Sequence, residues 1–294
     1  MNRKVAIVTG ATSGFGMLTA LKLARSYHVI ATARQPEKAV ILKEAAAQAG
    51  TSEHITVVSL DVTNEQSVSD FGNTISGFGP IDLLVNNAGT AYGGFIEDVL
   101  MEHYRQQYET NVFGLIHVTK TVLPYMRKHG GAKIFNISSI SGLTGFPALS
   151  PYVSSKFAVE GFTECLRLEL LPLGIDAALI EPGSYKTSIW ETSLSSHITA
   201  PGKDSPYYRF YQPLEAYFKA NASKSGDPDD VAELIYQLAQ RKRLKKLRYP
   251  IGRGVKLTLA FRSLFPWSAW ESIIKKSCSL KLNYNNYNLV LIFI

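Results

Sequence analysis

Short apolar runs alternate with segments of helical periodicity along most of the chain. Seven apolar runs predict strands, at residues 5–9, 29–33, 55–60, 81–85, 133–137, 176–181 and 247–251. Apolar positions at helical spacing predict helices between them, at residues 18–25, 36–49, 64–76, 101–128, 154–171 and 227–240. Apolar strands that alternate with helices indicate a parallel sheet covered on both faces. We therefore predict one doubly wound α/β domain, residues 1–254, with about seven strands and helices on both faces of the sheet.

Two segments depart from this alternation. Residues 184–226 lack clear periodicity but are rich in aromatic residues: Trp190, Tyr207, Tyr208, Phe210, Tyr211, Tyr217 and Phe218. Structureless segments of this length are usually lids or binding loops, so we expect a substrate lid whose aromatic side chains either line an apolar pocket or form their own packing core. Residues 255–276 have apolar residues at helical spacing with basic residues between them, which predicts a C-terminal amphipathic cap over the substrate end. Residues 277–294 fit neither pattern, and we expect a disordered extension without function.

Composition is typical of a globular protein from a reducing compartment. Hydrophobic residues make up 46% of the chain and charged residues 19%. The two cysteines, Cys165 and Cys278, are too few for a disulfide framework and have no metal-site spacing. The apolar run at residues 5–8 is too short for a signal-peptide core or a membrane span. We therefore expect a cytoplasmic protein without a bound metal.

The net charge of +7 is concentrated near the C-terminus. Residues 241–281 contain 12 lysines and arginines, with Glu271 as their one acidic residue. A segment of this kind can bind nucleic acid or an anionic membrane, or it can be a solvated face. We expect a solvated face and no nucleic-acid partner, and peripheral membrane contact by residues 255–276 is the alternative.

Residues 9–16, Thr-Gly-Ala-Thr-Ser-Gly-Phe-Gly, lie between the first strand and the first helix. Glycine allows unusual backbone angles and a close approach to a ligand, and a helix start offers unpaired N–H groups and the positive end of the helix dipole. The segment therefore predicts a pyrophosphate-binding loop rather than a plain tight turn. Its predicted cofactor contacts are Gly10, Thr12, Ser13, Gly14, Phe15 and Gly16.

The end of the second strand indicates which dinucleotide binds. An acidic residue there pairs with the ribose 2′-hydroxyl of NAD, but here the sequence reads Thr32-Ala33-Arg34. Arg34 can form a bidentate contact with a 2′-phosphate, so we expect NADP(H) rather than NAD(H), unless Arg34 is only a solvated loop residue. Asp61 and Val62 follow the third strand, where the Asp61 carboxylate can accept a hydrogen bond from the adenine amine.

Tyr152 and Lys156 are four residues apart, which on a helix places them one turn apart on the same face. A neighbouring ammonium favours the phenolate and so lowers the pKa of a tyrosine from its usual value of about 10. The pair alone is a weak signal, because a chain with 15 tyrosines contains about one such spacing by chance. The other motifs along the chain support a functional role for this pair.

Taken in order, these features resemble the classical short-chain dehydrogenase/reductase (SDR) family, whose fold is of the Rossmann type. The resemblance covers residues 4–251, and Ser139 lies before Tyr152 at the separation usual in the family. The matching motifs are the Thr-Gly-x-x-x-Gly-x-Gly loop at residues 9–16, Asp61, Asn86-Asn87-Ala88-Gly89, Asn111, Ser139, Tyr152-x-x-x-Lys156, and Pro182-Gly183 with Thr187. Phe15 stands where an isoleucine is common, which puts nothing catalytic in doubt.

The resemblance implies a role for each residue. Tyr152 would be the general acid or base, Lys156 would lower its pKa and hold the nicotinamide ribose, and Ser139 would polarise the substrate carbonyl. Asn111 would hold a water that links Lys156 to solvent. Further cofactor contacts would lie near the ribose and at the nicotinamide. Those near the ribose would be Asn86, Asn87, Ala88 and Gly89, and those at the nicotinamide would be Pro182, Gly183, Thr187 and the backbone near Ile189. In the plainer alternatives, Ser139 caps a turn, Asn111 is satisfied by local backbone, and Asn86 is structural.

We therefore expect an NADP(H)-dependent oxidoreductase that interconverts a carbonyl and a secondary or primary alcohol on a small hydrophobic substrate. An alternative is a non-catalytic regulator that senses nicotinamide cofactors on the same fold, although such a protein would be expected to lose Tyr152 or Lys156. A nucleic-acid or membrane-binding protein would not need the ordered motifs. The resemblance also implies a homo-oligomer, and we expect a dimer formed through the helix at residues 101–128 and the helix after Tyr152.

Overall fold

A single parallel sheet organises the structure, a computed structural model that describes residues 3–128, 130–187, 197–222 and 225–277. Its strands are β1 (Lys4–Val8), β2 (Tyr27–Ala33), β3 (Ile55–Ser59), β4 (Leu83–Asn86), β5 (Lys133–Ile137), β6 (Asp176–Pro182) and β7 (Arg248–Ile251). They pair in the order β3-β2-β1-β4-β5-β6-β7. The predicted seven-stranded parallel sheet is confirmed, with β7 at the edge, where its Pro250 removes no ladder hydrogen bond from a further strand.

Helices cover both faces of this sheet, as predicted. The helices of the described residues are α1 (Gly14–Leu23), α2 (Val40–Gln48), α3 (Glu65–Ile75), α4 (Met101–Tyr108), α5 (Leu115–Met126), α6 (Ser150–Leu170), α7 (Tyr208–Ala222), α8 (Pro228–Gln240), α9 (Val255–Leu264) and α10 (Trp267–Ser277). One face packs against α1, α2 and α8 through buried residues such as Leu23 and Ile235. The other packs against α3, α5 and α6 through residues such as Phe71 and Val122. Two apolar layers therefore enclose strands that are apolar on both sides.

The strand order places the functional crevice. The chain moves outward from β1 to β3, then crosses back and continues from β4 to β7 on the other side of β1. The loops that follow β1 and β4 therefore diverge at the carboxyl edge of the sheet, and open α/β sheets bind ligands at this point.

Two predicted helix assignments differ from the structure in ways that affect the site. The helix that carries Lys156 begins at Ser150 rather than at residue 154, so it includes Tyr152, and Pro151 in its first turn is compatible with a helix start. The long helix at 101–128 is interrupted by a π-helical stretch, Glu109–Gly114, between α4 and α5. Such stretches are frequent at functional sites.

The segment at 184–226 is not structureless, because it contains α7. Phe210, Tyr211 and Leu214 are spaced for one helix face, and they pack against Phe95 and one another. Tyr207, just before the helix, stacks on the Phe95 ring with 4.7 Å between ring centroids. This partner lies far away in sequence, so local periodicity did not reveal the helix.

Some predictions fall outside the described residues. Ile189 and Trp190 lie there, as do the side chains of Tyr217 and Phe218 and most of the extension at 277–294. Within the four described ranges, no helix combines the length and the apolar character needed to cross a bilayer.

Candidate active site

A cavity of about 530 Å³ opens at the carboxyl edge of the sheet, where the loops after β1 and β4 diverge. All of the predicted site residues that the structure describes line it, except Gly16, Asn86 and Asn111. The sheet therefore brings together predicted residues from seven separate stretches of the chain, from Gly10 to Thr187. The described aromatic residues at 207–211 do not line this cavity, because they pack in the cluster with Phe95.

The loop after β1 forms a cradle that only glycine permits. Gly10 has a φ of +63°, and a Cβ there would lie 2.9 Å from the Cα of Ala88. A Cβ on Gly16 would lie 2.3 Å from the Gly10 carbonyl oxygen. The amide of Asn87 donates to the carbonyls of Thr9 (2.8 Å) and Gly10 (3.0 Å), which holds the loop against the end of β4. Gly16 therefore packs against the loop without lining the cavity. The side-chain amide of Asn87 donates its hydrogen bonds to the loop itself.

The same loop leads into the start of α1, which begins at Gly14. The first N–H groups of a helix have no acceptor within that helix, and both Gly14 and Phe15 line the cavity. A bare backbone, the positive end of a helix dipole and a long cavity fit the pyrophosphate of a dinucleotide.

The far end of the cavity is bounded by the ends of β2 and β3. Arg34 is exposed there, and Lys38, four residues later, lines the same wall. Asp61 accepts hydrogen bonds from the Thr63 amide (2.9 Å) and hydroxyl (2.7 Å), which fixes its carboxylate at the rim. Two cations thus border the place where the adenosine part of a dinucleotide would lie.

Tyr152, Lys156 and Ser139 form the opposite wall. Tyr152 and Lys156 project from α6, and the Lys156 ammonium lies 5.7 Å from the centre of the Tyr152 ring. Lys156 donates to the carbonyl oxygen of Ile137 at the end of β5 (2.8 Å). Ser139 hydrogen-bonds the Tyr152 side chain, accepts from the Ser141 amide (3.1 Å) and donates to the Pro182 carbonyl (3.4 Å). Ser139 therefore caps a turn and also hydrogen-bonds Tyr152.

The protonation of this pair differs from the expectation that Lys156 lowers the pKa of Tyr152. Burial of the phenol raises the pKa of Tyr152 to about 12, which the hydrogen bond from Ser139 only partly offsets. Burial also lowers the pKa of Lys156 to about 8, against the favourable field of Glu160. Desolvation penalises the charged form of both groups, and it is the largest influence on the pKa of each.

Asn111 sits in the π-helical stretch, and its side chain serves the loop after β4. Its Oδ1 accepts from the Thr90 amide (2.9 Å), and its Nδ2 donates to the Thr90 carbonyl (3.1 Å) and to the Ser155 hydroxyl (3.2 Å). Asn111 thereby ties that loop to α6, and its role as a water ligand stays a prediction. Asn86 donates to Thr119 (2.9 Å) and Asn136 (2.8 Å) within the core, which is a structural arrangement.

A buried acidic cluster joins Glu160 of α6 and Glu181 of β6 to Arg248 of β7, and it was not predicted. Arg248 donates to Glu160 (2.9 Å), lies 3.3 Å from Glu181 and also pairs with the exposed Glu164. Glu181 is fully buried. Burial, reinforced by repulsion from Glu160, raises the pKa of Glu181 to about 8.

Other lining residues were also missed, among them Lys38, Tyr92, Tyr185 and His197. Lys38 could have been predicted from the sequence, because it follows Arg34 by four residues. Tyr92 stacks between His103 and His197, with 5.0 and 4.4 Å between ring centroids. That stack joins three separate stretches of chain, so no local sequence pattern predicts it.

Comparison with known proteins agrees with this geometry. The sequence model of the short chain dehydrogenase family matches residues 4–197. The chain is 70% identical to the uncharacterized oxidoreductase YusZ of Bacillus subtilis over 94% of this chain and 99% of that protein. It is 38% identical to 3-ketodihydrosphingosine reductase of Bacteroides thetaiotaomicron (69% of this chain, 72% of that protein). It is 36% identical to retinol dehydrogenase 8 of Bos taurus (80% and 77%).

Solved structures share the fold. ElxO with NADP bound is similar with a TM-score of 0.72 and 30% identity, covering 87% of this chain and 100% of that one. A short-chain dehydrogenase/reductase from Burkholderia phymatum in complex with NAD is similar with a TM-score of 0.75 and 26% identity, covering 89% and 93%. A glycine cradle and a tyrosine–lysine wall meet at the switch point of a parallel sheet, and the family model spans both. The chain therefore belongs to the short-chain dehydrogenase family, oxidoreductases that act on CH–OH donors with a nicotinamide cofactor.

Proposed function

We propose that this protein is an NADP(H)-dependent reductase that converts the carbonyl of a hydrophobic substrate into an alcohol, and that also catalyses the reverse oxidation. The observation that carries the proposal is the joining of Ser139, Tyr152 and Lys156 in the wall of one cavity that also contains the glycine cradle. The cradle would hold the pyrophosphate, and the bound nicotinamide supplies the hydride.

The residues of the chain supply the proton. With a pKa of about 12, Tyr152 keeps its proton at neutral pH and can donate it to the carbonyl oxygen as that oxygen gains charge. Ser139 reaches the same phenol and would orient the carbonyl through its hydroxyl. The Lys156 ammonium, held by the Ile137 carbonyl, stabilises the phenolate that is left behind. The carbonyl thus gains a hydride and a proton, and Tyr152 is reprotonated from solvent.

The preference for NADP(H) is supported by Arg34 and Lys38, which border the adenosine end of the cavity. Neighbouring cations favour a 2′-phosphate over a 2′-hydroxyl, and β2 ends without an acidic residue there. Relatives with NADP bound and with NAD bound share the fold, so the fold alone does not favour either cofactor.

Initial rates with NADPH and NADH test this preference. We expect the double variant R34A with K38A to lose at least about tenfold in kcat/KM with NADPH and little with NADH, since about 1.4 kcal/mol corresponds to tenfold. Lys43→Ala, on the exposed surface of α2, is the matched control. A wild-type kcat/KM that is tenfold higher with NADH would refute the proposal.

A hydrophobic substrate is supported by the activities for which several relatives are named. 3-Ketodihydrosphingosine reductase, retinol dehydrogenase 8 and 17-beta-hydroxysteroid dehydrogenase type 1 are among the curated proteins that the chain resembles. A panel of long-chain, retinoid and steroid ketones and aldehydes, followed by loss of NADPH absorbance, tests this class. Bound NADPH without turnover of any member would instead favour the cofactor-sensing regulator.

We also propose that the protein is a dimer through α4, α5 and α6. Phe113, at the end of the π-helical stretch, and Phe157 and Leu168 on α6 are exposed large apolar residues. Light scattering of the wild type and of Leu168→Glu tests this assembly, and a monomeric wild type would refute it.

A further inference from the structure

The first helix of the C-terminal extension presents its leucines to solvent. Leu257 and Leu264 on α9 are each 78% exposed, and their separation of seven residues places them on the same helix face. Val255, on the opposite face, is the buried residue through which α9 packs. This is the reverse of a helix that covers a core with its apolar side.

Exposed apolar side chains continue beyond the leucines, through the turn after α9 to the first residue of α10. Phe265 and Trp267 are 49% and 51% exposed, and Phe265 stacks on Phe261 with 4.3 Å between ring centroids. We call Leu257, Leu264, Phe265 and Trp267 the α9 patch. Large apolar side chains that are exposed close together in this way are typical of interaction sites.

Positive charge surrounds the α9 patch. Arg253 and Lys256 are exposed beside Leu257, and the Arg262 guanidinium lies 5.0 Å from the centre of the Trp267 ring. Glu271, the one acidic residue between positions 253 and 277, is engaged by Lys275 at 2.6 Å. Among the described residues of α9 and α10, the charge that adjoins the patch is therefore cationic.

This charge selects among the possible occupants of the α9 patch. A symmetric dimer through the patch would bring the same cations of two copies together, which opposes association. Residues 278–294 contain no acidic side chain that could complement them. Apolar side chains, a tryptophan and flanking lysine and arginine are the combination that binds the surface of an anionic bilayer.

The α9 patch also lies next to the active-site loop. A Cβ on Gly145 would be 3.9 Å from the Trp267 ring, and Trp270 packs edge-on against Phe146 with 6.1 Å between ring centroids. Gly145 and Phe146 belong to the loop between β5 and α6 that leads into Tyr152. A surface that binds the patch would therefore lie beside the catalytic wall.

We propose that the α9 patch docks the enzyme on an anionic lipid surface. Leu257, Leu264 and Trp267 insert at the boundary between head groups and acyl chains, and Arg253 and Lys256 contact the anionic head groups. This docking is independent of which cofactor or substrate the enzyme prefers.

Co-sedimentation of the full chain with vesicles tests the proposal. We expect binding to vesicles of phosphatidylcholine with phosphatidylglycerol, weaker binding to phosphatidylcholine alone, and release at high salt. Leu257→Ser combined with Leu264→Ser should weaken partitioning at least about tenfold. Arg253→Glu combined with Lys256→Glu should remove the preference for phosphatidylglycerol, with roughly fivefold lost for each cation.

A matched control comes from α2. Ile41 is 63% exposed and Lys43 is exposed beside it, so Ile41→Ser with Lys43→Glu removes similar groups elsewhere and should leave binding unchanged. NADPH-dependent turnover without vesicles and the melting temperature should not change in any of these variants. Loss of turnover would therefore concern the proposed function and not the docking.

Three results would overturn the docking proposal. The first is a wild type that does not sediment with anionic vesicles, and the second is equal binding to phosphatidylcholine alone. The third is binding that survives both double variants, which would assign it to another part of the chain. A concentration-dependent mass that Leu257→Ser with Leu264→Ser abolishes would instead identify a second copy as the occupant.

Discussion

Glu181→Gln should change how stability depends on pH, because the folded protein holds a proton on Glu181 that the unfolded chain releases. Glu181 is fully buried at the end of β6, and Glu160 shares Arg248 with it. Burial and this like-charge neighbour raise the pKa of Glu181 from 4.5 to about 8. Glutamine keeps nearly the same shape and has no proton to lose.

The sign and the size of the effect follow from the two pKa values. Between pH 4.5 and 8 the folded state binds one more proton at Glu181 than the unfolded state, so this group's contribution to stability falls as pH rises. The fall is about 1.4 kcal/mol per pH unit, and the whole window corresponds to at most about 5 kcal/mol. The variant lacks this fall. From pH 5 to pH 8 its free energy of unfolding, relative to that of the wild type, should therefore rise by up to about 4 kcal/mol.

Urea unfolding of both proteins across this pH range measures the difference. Coincident transitions by tryptophan fluorescence and circular dichroism make the free energies of unfolding comparable. Glu164→Gln is the control, because Glu164 pairs with the same Arg248 but is 52% exposed. We expect its effect to stay within about 0.5 kcal/mol at every pH.

Two outcomes would refute the reasoning. Parallel pH profiles for Glu181→Gln and the wild type would mean that Glu181 ionises normally in the folded state. A variant that is less stable at every pH would mean that the Arg248 pair holds an ionised Glu181 carboxylate, whose loss leaves a buried cation without a partner.

Three further predictions concern the candidate active site. Tyr152→Phe should lower kcat by about 10³-fold while NADPH binding, measured by fluorescence titration, stays nearly intact; near-native turnover would remove Tyr152 from the mechanism. Since burial lowers the pKa of Lys156 to about 8, kcat/KM for reduction should fall as pH rises through that value, and a profile flat to pH 10 would contradict this. Gly16→Ala should weaken NADPH binding at least about tenfold, because the new Cβ would lie 2.3 Å from the Gly10 carbonyl oxygen. Gly77→Ala, with no atom within 4 Å of the new Cβ, should leave binding unchanged.

Much of the fold was predictable because its signals are local. A buried parallel strand must be apolar on both faces, so each strand could be read from its own residues. The glycine cradle was equally readable, since close backbone contacts at Gly10 and Gly16 exclude any larger residue. The order of the motifs along the chain then identified the family.

Other predictions failed because they depended on neighbours that are distant in sequence. The helix α7 depends on Phe95, which lies more than a hundred residues before it. The pKa of Tyr152 was expected to fall, because the sequence shows the nearby Lys156 but not the burial of the phenol. The sequence also did not show that Leu257 faces solvent, because periodicity indicates that a helix is amphipathic but not which side faces the protein.

The sequence by itself thus determined the strands and most of the helices, their parallel arrangement and the reaction class, because apolar runs and short motifs act through adjacent residues. Only the tertiary structure decided the protonation of Tyr152 and Lys156, the joining of Glu160 and Glu181 at Arg248, and the exposure of the α9 patch. Each of these depends on how much water reaches a group and which charges lie beside it. Both quantities are set when distant segments pack together.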